Sequence, residues 1–269
     1  MTIALAALAL LAVEPACAGE QVMIGGDYAL HTFAEGEGDV TVLFESGNGN
    51  DGTVWEDMAA RLSDAGVRTI RYDRAGLGQS APRPGETYDI NREVAALRRL
   101  LDACGAGEDI LVVAHSYGGM VANLLAANDD RVKAMLLLDA TNPDTETPAR
   151  VERLMSLYRP RYDEVRAYDQ SLADHIIPLM EAWGQTAATV RGAEIPLGIP
   201  IYLLVRGVAG SDEDNLEEWQ DGMKGFAARS DMRFVQIARD MGHHVARERP
   251  DWVEASAVQL IEWIRETRD

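Results

Sequence analysis

Short apolar runs alternate along the chain with longer stretches in which apolar residues recur every three or four positions. Tyr28–Phe33 and Val40–Glu45 are strand candidates, separated by the turn-forming Glu35-Gly36-Glu37-Gly38. Val54–Ser63 reads as a helix and Val67–Tyr72 as the next strand. Ile90–Cys104 carries Ile90, Val94, Leu97 and Leu101 at helical spacing. Ile110–Ala114 is apolar throughout, the pattern of a strand covered on both faces. A helix over Met120–Asn128 and a strand over Val132–Leu138 follow.

The alternation breaks at Thr141 and resumes after Gly198. The interval opens with Thr-Asn-Pro-Asp, is rich in arginine, and carries Met155, Tyr158, Met180 and Trp183 among short helical patterns. It reads as a helical insertion. Beyond it come a strand over Ile199–Val205, a helix over Asn215–Ala228, a strand over Arg233–Ile237 and a helix over Pro250–Arg268. Strands that alternate with helices imply an α/β fold with a mostly parallel sheet covered on both faces.

The N-terminus has a different character. Ile3–Val13 is a continuous apolar run, followed by Pro15 and by the small-residue sequence Ala16-Cys17-Ala18. That run is too short to cross a hydrocarbon core of ~30 Å. It fits the apolar region of a secretory signal cut after Ala18. No Lys or Arg precedes the run, and Glu14 stands close to the cut. The expected organisation is therefore a signal over 1–18, a core over 19–140 and 199–269, and a helical insertion over 141–198. The expected location is periplasmic or secreted, with the cytoplasm as the alternative. A cut after Ala18 removes Cys17 and leaves Cys104 without a disulfide partner.

Composition narrows the functional classes. The 269 residues are 47% hydrophobic and 26% charged, an ordinary globular balance. The net charge of −19 repels phosphate backbones and anionic lipids, so neither a nucleic acid partner nor stable membrane insertion is expected. Two cysteines cannot build a disulfide framework or a four-cysteine zinc site, and no H-E-x-x-H occurs, so no metal is expected. The five arginines from Arg150 to Arg166 read as a solvated charged face rather than an anion site.

Three segments carry candidate chemistry. Gly47-Asn48-Gly49-Asn50-Asp51-Gly52 satisfies G-x-G-x-x-G, with Asp73 at the end of the next strand, as in a nicotinamide dinucleotide site. A strand precedes this unit, whereas the fingerprint usually marks the first strand of its domain. In the second segment, Ser116 follows a buried strand and is followed by Gly118 and Gly119, so it sits at a sharp strand-to-helix turn. A helix N-terminus there offers N–H groups and a positive dipole to a developing oxyanion. In the third, Gly242-His243-His244 follows the last strand, and a serine nucleophile needs such an imidazole as its base. Two adjacent rings do not face one point, so one of them is the base. The Ser46–Gly49 loop also fits as the second wall of an oxyanion hole, the Asn48 N–H joining that of Tyr117.

Taken in order, Ser46-Gly47, Tyr72-Asp73-Arg74-Ala75-Gly76-Leu77-Gly78-Gln79-Ser80, His115-Ser116-Tyr117-Gly118-Gly119 and Gly242-His243 resemble the α/β-hydrolase superfamily. The resemblance runs from about Gly25 to the C-terminus, and Thr141–Gly198 stands where that family carries its cap. It implies Ser116 as nucleophile, His243 as base, and Asn48 and Tyr117 as oxyanion donors. Two departures from the family pattern are Ala114 for the first glycine of G-x-S-x-G and Ser46 where many members have histidine. The triad acid has two candidates. Asp139 ends the strand before the insertion, the place used by haloalkane dehalogenases. Asp212 lies near the more usual later place, displaced by about a turn in an acidic run with Glu213 and Asp214. Asp139 is the preferred reading.

The implied activity is hydrolysis of a carboxylic ester or lactone of a small molecule through an acyl-enzyme, with no cofactor. The alternatives are a catalytically silent binding protein of the same fold and, from the glycine fingerprint, a nicotinamide-dependent oxidoreductase.

Overall fold

Among the residues described by the computed structural model (17–24, 28–83, 85, 87–210 and 215–268), eight strands form one sheet. They are β1 (Ala18–Ile24), β2 (Tyr28–Glu35), β3 (Thr41–Glu45), β4 (Arg68–Tyr72), β5 (Ile110–His115), β6 (Val132–Leu138), β7 (Ile201–Arg206) and β8 (Arg233–Ala238). Their order across the sheet is β1-β2-β4-β3-β5-β6-β7-β8. β1 and β2 are antiparallel to their neighbours, and the remaining pairs are parallel. Apolar residues of β5 alternate between the two faces. Val112 and Ala114 pack with one core layer, Leu111 and Val113 with the other.

Helices cover both faces. α1 (Glu56–Asp64) follows a short 3-10 turn at Gly52–Trp55; α2 (Ile90–Ala103) and α3 (Gly118–Ala126) come next along the chain. Between β6 and β7 lie α4 (Pro148–Tyr158), α5 (Tyr162–Tyr168), α6 (Gln170–Glu181) and α7 (Trp183–Arg191), with a second 3-10 turn at Arg159–Arg161. α8 (Leu216–Ala227), α9 (Val245–Glu248) and α10 (Pro250–Glu266) complete the described chain. α2 begins where the Asp89 side chain accepts the Asn91 N–H, and its Ile90, Val94, Leu97 and Leu101 are buried. Of the arginines on α4, α5 and the turn between them, Arg150, Arg153, Arg159 and Arg166 pair with Glu146, Glu218, Glu181 and Asp163.

Parallel register brings the ends of four strands to one edge. Glu45 lies opposite Ala114, His115 opposite Leu138, and Leu138 opposite Leu204. The loops that leave β3, β5, β6 and β7 therefore open on the same side, where ligands bind in open α/β sheets.

The disulfide bears on the expectation for the N-terminus. Residues 1–16, which hold the apolar run, lie outside the described residues, but Cys17 is described and bonded to Cys104. β1 pairs with β2 in an edge hairpin that carries Cys17 back to the C-terminal end of α2, where both half-cystines are buried. Cys104 is thus not a lone thiol, and a cut after Ala18 would remove its partner. The bond closes a loop of 87 residues. Replacing Cys104 by Ser is expected to lower the unfolding free energy by about 2–4 kcal/mol. Urea unfolding measures this, and an unchanged midpoint would mean the bond contributes nothing. Among the described residues no helix is long and apolar enough to cross a membrane.

Candidate active site

Ser116 occupies the turn between β5 and α3 with φ +53°, a left-handed conformation costly for a residue with a Cβ. Close packing makes room for that turn. A Cβ on Gly118 would lie 2.7 Å from the Glu45 carbonyl oxygen, and one on Gly119 would overlap that of Thr141. Glycine at both positions lets α3 start directly behind the serine. Ala114, which stands for the first glycine of the usual motif, is fully buried in β5.

The Ser116 Oγ lies 3.0 Å from His243 Nε2, and His243 Nδ1 lies 2.6 Å from Asp139 Oδ2. A carboxylate accepts, so the proton of this ring is on Nδ1, and Nε2 is free to accept the serine hydroxyl. His244, next in sequence, is exposed with its ring centroid 5.6 Å from that of His243. Asp139 is fully buried, and its other oxygen accepts from Trp219 Nε1 at 2.7 Å and from the Arg206 N–H at 3.2 Å. The Arg206 guanidinium is 3.5 Å from Oδ2. Asp212 lies outside the described residues.

The Ser46–Gly49 loop faces the same point from β3. Arg74, buried, donates to the Glu45 carboxylate and to the carbonyl oxygens of Ser46 and Gly47. The peptide bond after Gly47 is trans, so fixing its C=O toward Arg74 turns the Asn48 N–H the opposite way. Among the described residues neither the Asn48 nor the Tyr117 backbone N–H has a hydrogen-bond partner. Burial raises the Glu45 carboxyl to about 7, against the opposing pull of Arg74 and the Tyr72 hydroxyl. Ser46 donates to the Asp51 carbonyl and accepts from Trp55 Nε1.

Asp73, which a dinucleotide site would hold for a ribose, is occupied otherwise. Its two oxygens accept the backbone N–H groups of Gly52 and Gln79, tying the Gly47–Gly52 loop to the Ala75–Ser80 loop. Above the site, α6 crosses the Asn48–Gly49 loop. Ile176 lies where a Cβ on Gly49 would touch it, and Met180 Sδ is 3.8 Å from Asn48 Nδ2. Trp183 packs on the Tyr117 ring, with Met155 and Met180 also buried, while Tyr158 is exposed. On another face of α6 a cavity of about 550 Å³ opens toward Ala75–Arg83, and Ser116 is not among its walls.

Trp219 and Arg206 around Asp139 gave no local sequence signal, and Arg74 and His115 stood inside quoted motifs that said nothing of the contacts they make. Each acts on a group at least 27 positions away along the chain.

A model of the Alpha/beta hydrolase family matches residues 42–256. The chain is 39% identical over 103 residues to lipase LipV of Mycobacterium tuberculosis, covering 38% of each protein. It is 32% identical over 124 residues to a putative carbamate hydrolase, RutD, of Variovorax paradoxus, covering 46% of this chain and 45% of that protein. The chain spans less than half the length of the curated relatives it matches. Among solved structures, a thermophilic esterase from Thermogutta terrifontis shares the fold with TM-score 0.64 at 20% identity, covering 91% of this chain and 97% of the other.

Proposed function

Because this chain belongs to the α/β-hydrolase family, we propose that it is a serine hydrolase cleaving a carboxylic ester or lactone of a small molecule. One observation carries the reading: the unbroken chain Ser116 Oγ, His243 Nε2, His243 Nδ1, Asp139 Oδ2, with separations of 3.0 and 2.6 Å. Ser116 attacks the acyl carbonyl while His243 takes its proton. The Asn48 and Tyr117 N–H groups receive the oxyanion, at the N-terminal end of α3. His243 then protonates the leaving alcohol, which departs and leaves the acyl group on Ser116. Water, deprotonated by the same imidazole, attacks that ester and releases the acid. Asp139 keeps the histidine proton on Nδ1 and stabilises the imidazolium. No cofactor enters this sequence.

The helices between β6 and β7 act as the cap of this site, α6 closing over the donor loop. A lipase among the relatives supports an ester as substrate. The disulfide supports an exported protein, since such bonds persist in oxidising compartments, and an exported chain that keeps this bond is one cut before Cys17.

A fluorophosphonate probe tests the reaction class. Wild-type protein is expected to be labelled on Ser116, read by peptide mass spectrometry, and to hydrolyse chromogenic esters. Hydrolysis that persists with Ser116 unlabelled would reject the serine mechanism.

A further inference from the structure

His115 is the last residue of β5 and immediately precedes Ser116. Its side chain is buried between two loops rather than turned toward the reaction. On one side, Nε2 lies 2.8 Å from the His243 carbonyl oxygen. A carbonyl only accepts, so the ring carries its proton on Nε2 and donates it there. On the other side, Nδ1 faces the donor loop so closely that a Cβ on Gly47 would lie 2.9 Å from it. The centroids of the His115 and His243 rings are 4.7 Å apart. Burial, with His243 as the second cause, lowers the His115 pKa to about 4. The ring is therefore neutral near pH 7.

The segment that holds His243 is anchored through the residues on either side of it. It lies between β8 and α9: Met241 N–H donates to Ala238 O, Met241 O accepts the Gly207 and Val208 N–H groups, Gly242 N–H donates to Glu248 Oε2, and His244 O accepts the Arg247 and Glu248 N–H groups. Among the described residues no other hydrogen bond reaches the His243 carbonyl. We propose that His115 is a positioning residue, whose Nε2–H clamps the His243 carbonyl and so sets the imidazole between Ser116 and Asp139. The inference rests on the Ser-His-Asp reading. Because the clamp grips the backbone of the residue whose ring must meet two partners, a small shift of that backbone displaces both ring nitrogens together. The same ring spaces the base loop from the donor loop, since Gly47 abuts its other edge.

Three variants separate this role from core filling. His115→Gln keeps an N–H at about the reach of Nε2, His115→Asn keeps the amide but falls short by one methylene, and His115→Leu fills space without a donor. None of them leaves a buried charge unpaired. For Asn and Leu, kcat on a chromogenic ester and the rate of fluorophosphonate labelling are expected to fall about 10- to 100-fold, with KM within about twofold, the scale of an ångström-sized misplacement. Gln is expected to recover to within about fivefold of wild type. The far-downfield proton resonance of His243 Nδ1–H, bound to Asp139, should persist in Gln and broaden in Asn and Leu. Should the Leu variant fail to fold, the Gln and Asn pair decides alone. Equal activities of Gln and Asn at equal thermal stability, or wild-type labelling in Asn, would overturn the clamp. A wild-type protein that hydrolyses esters without labelling would instead remove the serine mechanism, and the clamp with it.

Discussion

Ser116→Ala is expected to lower turnover of a chromogenic ester by about 10³-fold or more, with thermal unfolding unchanged. In the proposed mechanism the hydroxyl oxygen forms the acyl bond, so its loss removes the covalent route entirely. About 4 kcal/mol of transition-state stabilisation disappears with a thousandfold loss. What remains is the contribution of the Asn48 and Tyr117 N–H donors and of substrate binding, which is why a residual rate above the uncatalysed one is also expected. The fold should not notice the change. Ser116 Oγ makes its hydrogen bond to a partly exposed histidine, and the left-handed backbone there is imposed by Gly118, Gly119 and their neighbours rather than by the hydroxyl. Activity above a tenth of wild type in purified Ser116→Ala protein would sink the mechanism.

Asp139→Asn should lower turnover by about 10²-fold or more. The carboxylate accepts from His243 through Oδ2, while its Oδ1 is already taken by Trp219 and the Arg206 N–H. With that side occupied by donors, an asparagine must keep its carbonyl there and present its NH2 to the imidazole. The NH2 can only donate, so the histidine proton moves to Nε2 and no acceptor is left for Ser116. The substitution also takes a negative charge from beside Arg206, so unfolding must be followed in parallel. A folded, fully active Asp139→Asn variant would dismiss Asp139. Asp212→Asn is the matched comparison, with an expected change of less than about tenfold, because Asp139 already occupies the place of the acid beside His243 Nδ1.

Much of this was readable along the chain because the signals are local. The wholly apolar Ile110–Ala114 run meant a strand covered on both faces, since neither side of it could face water, and β5 is buried in that way. The helical spacing of Ile90, Val94, Leu97 and Leu101 likewise marked α2 and its core face. The serine followed by two glycines announced a tight turn, because only residues without a Cβ allow a helix to begin against the Glu45 and Thr141 carbonyls. The glycine-rich Gly47–Gly52 stretch was ambiguous for the same reason: a loop built for close backbone approach looks alike whether it receives a phosphate or an oxyanion.

Tertiary structure alone decided which distant groups meet. β1 was hidden because an edge strand of seven residues abuts an apolar run that resembles a signal. The pairing of Cys17 with Cys104 depends on that hairpin folding across the end of α2, 87 residues away. Asp139 reaches His243 because the sheet order sets β6 between β5 and β7 and brings their ends into register, a fact of strand pairing with no trace in the composition of either segment. Trp219 and Arg206 carry no recognisable local pattern, and the motifs around Arg74 and His115 do not reveal which distant carbonyls those side chains hold. Periodicity records what each residue does for its own strand or helix. The contacts that align Ser116, His243 and Asp139 span up to 127 positions, and they exist only where the packed sheet holds those loops along one edge.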